Sequence, residues 1–132
     1  MGSHTLYVQE RNAAGNWSSS GSSTIVIDTT APTITSFTST TSNGSYKSAG
    51  EVNITATASE AVVATNFITA TLDTSDNVTL TAADNGTTLV GTYTVGAGDN
   101  SNDLTVSSFS IGTVTNIAGN AMASTTVPGT NI

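Results

Sequence analysis

Nine carboxylates, two cations and a single histidine make up the charged chemistry of this 132-residue chain. The densest group is Asp99-Asn100-Ser101-Asn102-Asp103, in which two carboxylates and several amide or hydroxyl oxygens fall within five residues. Hard cations want clustered oxygen ligands, and extracellular modules hold Ca2+ with dissociation constants of about 10⁻⁴–10⁻³ M. Asp99, Asp103 and Asn100 are therefore candidate calcium ligands. The loop lacks the spacing, the glycine and the terminal glutamate of an EF-hand. That favours the plainer reading of a solvated loop with Asp99 or Asp103 capping a turn. A second candidate joins Asp28 and Glu60 to the Asn12/Asn16 turn. Against it stands an Asx-type turn in which Asp28 simply accepts hydrogen bonds from the Thr29-Thr30 amides. Calcium is the one cofactor these residues could hold.

Catalysis fails on inventory. His4 is the sole imidazole and falls in Met1-Gly2-Ser3-His4, which reads as an expression-tag remnant, so the many hydroxyls have no base. A two-carboxylate hydrolase could use Glu51 and Glu60. Glu51, however, alternates with apolar positions and Glu60 ends a strand, so both are expected to face solvent or a loop. Lys47 follows Gly44-Ser45 in an apparent turn, a poor place for a buried isopeptide. Trp17 could stack on a sugar, but its neighbours are Ser and Gly, and a packing role for the hairpin is the simpler reading. Five N-x-[ST] matches, at Asn16, Asn43, Asn53, Asn77 and Asn85, are what a chain this rich in Ser, Thr and Asn produces by chance. No enzyme is expected.

The formal charge is −7, with Arg11 and Lys47 the only Lys or Arg residues. Phosphate backbones and anionic membrane surfaces are poor partners for such a chain. There is no cysteine, which removes disulfides and thiolate metal sites and fits a bacterial source. No apolar run approaches the roughly 20 residues of a membrane span, so neither nucleic-acid binding nor membrane insertion is expected. Roughly one residue in five is Thr, a β-branched side chain that suits a half-exposed pleated surface.

The elements that must position these residues are strands. Asn12-Ala13-Ala14-Gly15-Asn16 returns as Asn116-Ile117-Ala118-Gly119-Asn120, 104 residues on, each followed by a Ser/Thr-rich run and a proline. That spacing suits one β-sandwich repeat. Residues 5–28 therefore read as the C-terminal hairpin and linker of a preceding repeat, and residues 29–132 as a complete one. Its strand candidates are Thr33–Ser39, Glu51–Ser59, Ala61–Ala64 running weakly into Phe67–Leu72, Asn77–Ala82, Thr88–Val95, Leu104–Ile111 and Ala121–Val127. Asn43-Gly44 and Asn85-Gly86 mark turns. About seven short strands at this spacing describe an all-β, immunoglobulin-like sandwich preceded by a β-hairpin. The expected core is Ile34, Phe37, Val52, Ile54, Ala56, Phe67, Leu72, Leu80, Leu89, Tyr93, Val95, Leu104, Val106, Phe109 and Ile111.

Several segments together resemble a known family. Asp28-Thr29-Thr30-Ala31-Pro32-Thr33, Gly44-Ser45-Tyr46-Lys47, Ile54 to Val62, Tyr93 to Ser101 and the closing Asn-Ile-Ala-Gly-Asn are similar to the bacterial Ig-like repeats of giant surface proteins and adhesins. The likeness spans most of residues 5–127. It implies an extracellular tandem array, at the bacterial surface or secreted, whose copies act as spacers that hold a binding region away from the cell. The expected partners are neighbouring repeats, with domain-swapped or hairpin-mediated self-association as a further expectation for a hairpin cut from its parent sheet. The closing motif in such repeats usually opens with Asp, and here Asn12 and Asn116 stand there, so both positions lose a charge that could serve a cation. The alternative function is a glycan- or protein-binding module using loops at one end of the sandwich.

Overall fold

The computed structural model describes residues 2–132 and divides into two compact units, one ending at Thr30 and one spanning Ala31–Ile132. The protein is all-β. In the first unit, strand β1 (Gly2–Val8) pairs antiparallel with β2 (Gly21–Ile27), from Gly2 opposite Ile27 to Val8 opposite Gly21. Opposed residues share a face, so Leu6, Val8, Ile25 and Ile27 form one apolar side of the ribbon, and all four are exposed. A two-stranded ribbon has nothing to bury that side against within itself.

The second unit carries strands β3 (Ile34–Thr38), β4 (Glu51–Ala58), β5 (Phe67–Leu72), β6 (Asn77–Thr81), β7 (Thr88–Thr94) and β8 (Val106–Thr113). They form a continuous antiparallel sheet in the order β3-β4-β7-β6-β5-β8. Between β6 and β7 only Thr81 and Val90 pair, and there the sheet curls into two facing halves, an immunoglobulin-like sandwich. Gly91 permits that fold: a Cβ on it would lie 2.7 Å from Leu80 Cδ2 and against the Thr79 carbonyl.

Strand β4 shows how the residues select the fold. Val52, Ile54, Ala56 and Ala58 are buried while Asn53, Thr55 and Thr57 face outward, the period of two that a pleated strand imposes. Across the interior the Phe37 and Phe109 rings meet edge-to-face, with centroids 5.7 Å apart, an arrangement the ring quadrupoles favour. The expected core is found with one reversal. Phe67 is 37% exposed, and Ile68, Ala70 and Leu72 point inward instead. Leu72 commits β5 to burying its even positions, and Phe67 covers Gly112 from outside. Val95, Leu104 and Ile111 are only partly buried, while Val62, Val78, Val114 and Met122 join the core.

The seventh run, Ala121–Val127, forms no strand. After a bridge between Ala121 and Thr115 it crosses from β8 towards β3. There the Thr130 carbonyl accepts the Phe37 N–H at 3.0 Å, and the Asn131 amide pairs with both the N–H and the carbonyl of Val106 at 3.1 and 2.9 Å. Residues 130 and 131 thus satisfy groups on the two outermost strands of the sheet. A side-chain amide carries the same donor and acceptor as a peptide, so Asn131 substitutes for a paired strand residue. Asn131→Ala should leave Val106, which is 2% exposed, with an unpaired N–H and carbonyl. The expected loss is about 1–3 kcal/mol, read as a lower urea midpoint at unchanged slope; an unchanged midpoint would show that the closure is ornamental.

Candidate functional site

Each end of the sandwich gathers three loops. At the first, the segments 39–50, 73–76 and 95–105 surround an open cleft of about 630 Å3. Asp99, Asn100 and Asp103 all lie here, as the sequence grouping suggested, but the two carboxylates differ in role. Asp99 Oδ2 accepts the Tyr93 hydroxyl and the Gly96 N–H, both at 2.5 Å. Asp103 is exposed, and its carboxylate has no hydrogen-bond partner among the described residues. Asp73, which sequence reasoning passed over, accepts the Ser101 hydroxyl at 2.5 Å and the Thr105 N–H at 3.2 Å. These carboxylates tie the 95–105 loop to the end of β7 and to the β5–β6 turn. Among the described residues, no three His, Cys, Asp or Glu side chains are grouped to hold a metal ion.

Tyr93 is the keystone of this end. Its ring is core, as expected, and a buried phenol needs a partner for its hydroxyl, a signal that Asp99, six residues on, could have answered. Burial, followed by the hydrogen bond to Asp99, raises the Tyr93 pKa above its ordinary value. The same bond, with the Gly96 N–H second, lowers that of Asp99.

The opposite end is built from 59–66, 82–87 and 114–120. The Val62 N–H reaches the Gly86 carbonyl and the Ala64 N–H the Asn85 side chain, while the Val63 N–H reaches the Thr115 carbonyl. Asn116 is only 1% exposed. Its Nδ2 donates to Glu60 Oε2 at 2.9 Å, and its Oδ1 accepts the Asn120 N–H at 2.8 Å. Glu60 Oε1 is buried without a hydrogen-bond partner among the described residues. Glu60 therefore faces a loop, while Glu51 faces solvent. Some 50 residues separate Asn116 from Glu60 in the chain, so no local signal linked them. An amide at 116 donates directly to the glutamate, whereas an aspartate there would set two carboxylates against each other.

Glu60 and the Asp99 loop lie at opposite ends of the sandwich and cannot share an ion. Asp28 belongs to the first unit, where its Oδ1 accepts the Thr30 N–H at 3.1 Å in an Asx turn. In the hairpin turn Arg11 sits over the Trp17 ring, 5.6 Å from its centre, a cation–π contact. Lys47 is exposed in the turn that its carbonyl closes with the Gly50 N–H.

No family model, curated protein or solved structure matches the chain. The chain does carry a likeness within itself. In both copies of the repeated turn the first Asn N–H donates to the carbonyl of the last Asn, at 2.9 and 3.0 Å, and the Gly N–H returns to the first Asn carbonyl. In both, the first Asn Oδ1 accepts the last Asn N–H, and Gly15 and Gly119 take φ of 86° and 92°. The bridge Arg11–Trp17 becomes Thr115–Ala121, shifted by the same 104 residues.

Two outcomes follow. Because the Asp99 pKa is lowered in the fold, its stabilisation is present above the ordinary carboxylate range and lost as pH falls through the folded value. The stability gap between the wild type and Tyr93→Phe should therefore narrow from pH 7 to below about pH 4; a constant gap in urea titrations would refute the coupling. Asn116→Asp should lower the melting temperature by several degrees in EDTA, because a second carboxylate then meets Glu60 in a buried site. Millimolar Ca2+ should restore much of that loss while shifting the wild type less, and equal shifts in both proteins would count against the direct amide–carboxylate link.

Proposed function

We propose that the chain is a spacer repeat of a long extracellular bacterial surface protein, carrying the closing hairpin of one copy and the whole of the next. The repeated turn carries this reading. Two segments 104 residues apart share a hydrogen-bond pattern, a left-handed glycine and a flanking bridge. The likeness also extends beyond the turn itself, since the residues on either side of it bridge in both copies, Arg11 with Trp17 and Thr115 with Ala121.

The placement of the sandwich's own ends supports a role in reach. The chain enters beside Ala58 and Ser59, where Thr33 and Ser59 exchange hydrogen bonds. It leaves beside the opposite loop cluster, where Ile132 lines the cleft with residues 99–104. A module entered at one end and left at the other adds its length to an array, whereas one with adjacent termini would add only bulk. In this reading the apolar face formed by Leu6, Val8, Ile25 and Ile27 belongs against the remaining strands of the preceding copy. Neighbouring repeats are then the principal partners.

The test is geometric. When a second copy of residues 29–132 is fused after Ile132, X-ray scattering should show the maximum dimension growing by at least about 25 Å, the length of an eight-residue strand. A fusion that grows only as a compact globule of doubled mass would sink the spacer reading.

A further inference from the structure

The cleft at the exit end has features that a spacer does not require. Its volume of about 630 Å3 falls within the roughly 300–1,000 Å3 of small-molecule sites. One wall is the 39–46 segment with Tyr46, and the other is the 99–104 segment. Val52, Val95 and Leu104 lend the lining apolar surface.

Tyr46 is 44% exposed and lines the cleft. Its hydroxyl donates to the Ser42 carbonyl at 2.6 Å. Its ring lies beside Gly50, where an added Cβ would meet Tyr46 Cδ1 at the ordinary contact distance of 3.5 Å. An aromatic plate held in this way loses little freedom when something stacks on it.

The facing wall divides its polar groups between two tasks. Asp73, Asp99 and Ser101 are spent on internal hydrogen bonds that hold the loop. Asn100, Asn102 and Asp103 are exposed, and their side chains have no hydrogen-bond partner among the described residues. The cleft therefore offers a rigid aromatic face opposite two amides and a carboxylate. Amides both donate and accept, and a carboxylate accepts from hydroxyls. That combination suits a ligand with one C–H face and many hydroxyls. No Lys or Arg lines the cleft, which disfavours sulfated or sialylated ligands. A single uncommitted carboxylate is also a weak lure for a polycation. We propose that this cleft binds a neutral glycan, stacked on Tyr46 and hydrogen-bonded by Asn100, Asn102 and Asp103.

This inference goes beyond the spacer reading, and either can fail without the other. The full 132-residue chain would be applied to an array of neutral, sialylated and sulfated glycans, and any glycan bound would be titrated while backbone amide shifts are followed. The expected result is binding to neutral glycans with shifts confined to residues 41–46 and 99–104. Tyr46→Ala should weaken it by about tenfold or more, as loss of an aromatic anchor does. Asn102→Ala, a surface change that leaves the fold intact, should also weaken binding. An array on which no neutral glycan binds would overturn the proposal. So would binding restricted to charged glycans, or neutral-glycan affinity unchanged by Asn102→Ala or by a folded Tyr46→Ala.

Discussion

The curled sheet holds together because its two outer strands are met by the same short stretch of chain. β3 and β8 would each present unpaired peptide groups to water and to other strands, the hazard common to any open sheet. Residues 130 and 131 meet both, one through a carbonyl and the other through a side-chain amide. With the outer strands tied, the two halves face each other, and the Phe37–Phe109 contact lies between them. Large side chains such as Phe37, Ile54, Leu80 and Leu89 fill the interior, with Ala56, Ala58, Ala70 and Ala82 between them.

The same economy governs the charged groups. With nine carboxylates and two cations, the chain cannot pair acids with bases and uses acids as hydrogen-bond acceptors instead. Asp99 and Asp73 hold the loops of one end through backbone amides and hydroxyls, and Glu60 holds the other through Asn116. Asp73 and Glu60 fasten segments distant in sequence, while Asp99 closes its own loop on Tyr93 and Gly96. A hydrogen bond to a charged acceptor is about twice as strong as one between neutral groups, so few are needed to stiffen loops that would otherwise be Ser, Asn and Gly in water.

The two copies of the Asn-to-Asn turn separate local from tertiary causes. Asn12 is exposed and Asn116 is almost wholly buried, yet both make the same internal bonds. The turn therefore needs only its own residues: an Asn side chain to accept the returning amide, and a glycine free to take positive φ. Burial adds the contact with Glu60 without changing the geometry.

The all-β class, the hairpin, the alternation in β4 and the repeated turn are legible in the residues alone, because each depends on positions close to one another in the chain. The parity of β5 was legible in principle, since Leu72 and Phe67 cannot face the same way, but only packing against β8 chose Leu72. The fate of Ala121–Val127 was not legible. Its residues suit a strand, and whether they become one depends on where β3 and β8 leave unpaired groups. The acidic loop was visible as a cluster, but not the division between Asp99, spent on Tyr93, and Asp103, left to solvent. Tyr46 facing the 99–104 segment across a cleft, and Asn116 against Glu60, were decided by tertiary structure alone. Those partners lie some 50 residues or more apart, and only closure of the sandwich brings them together.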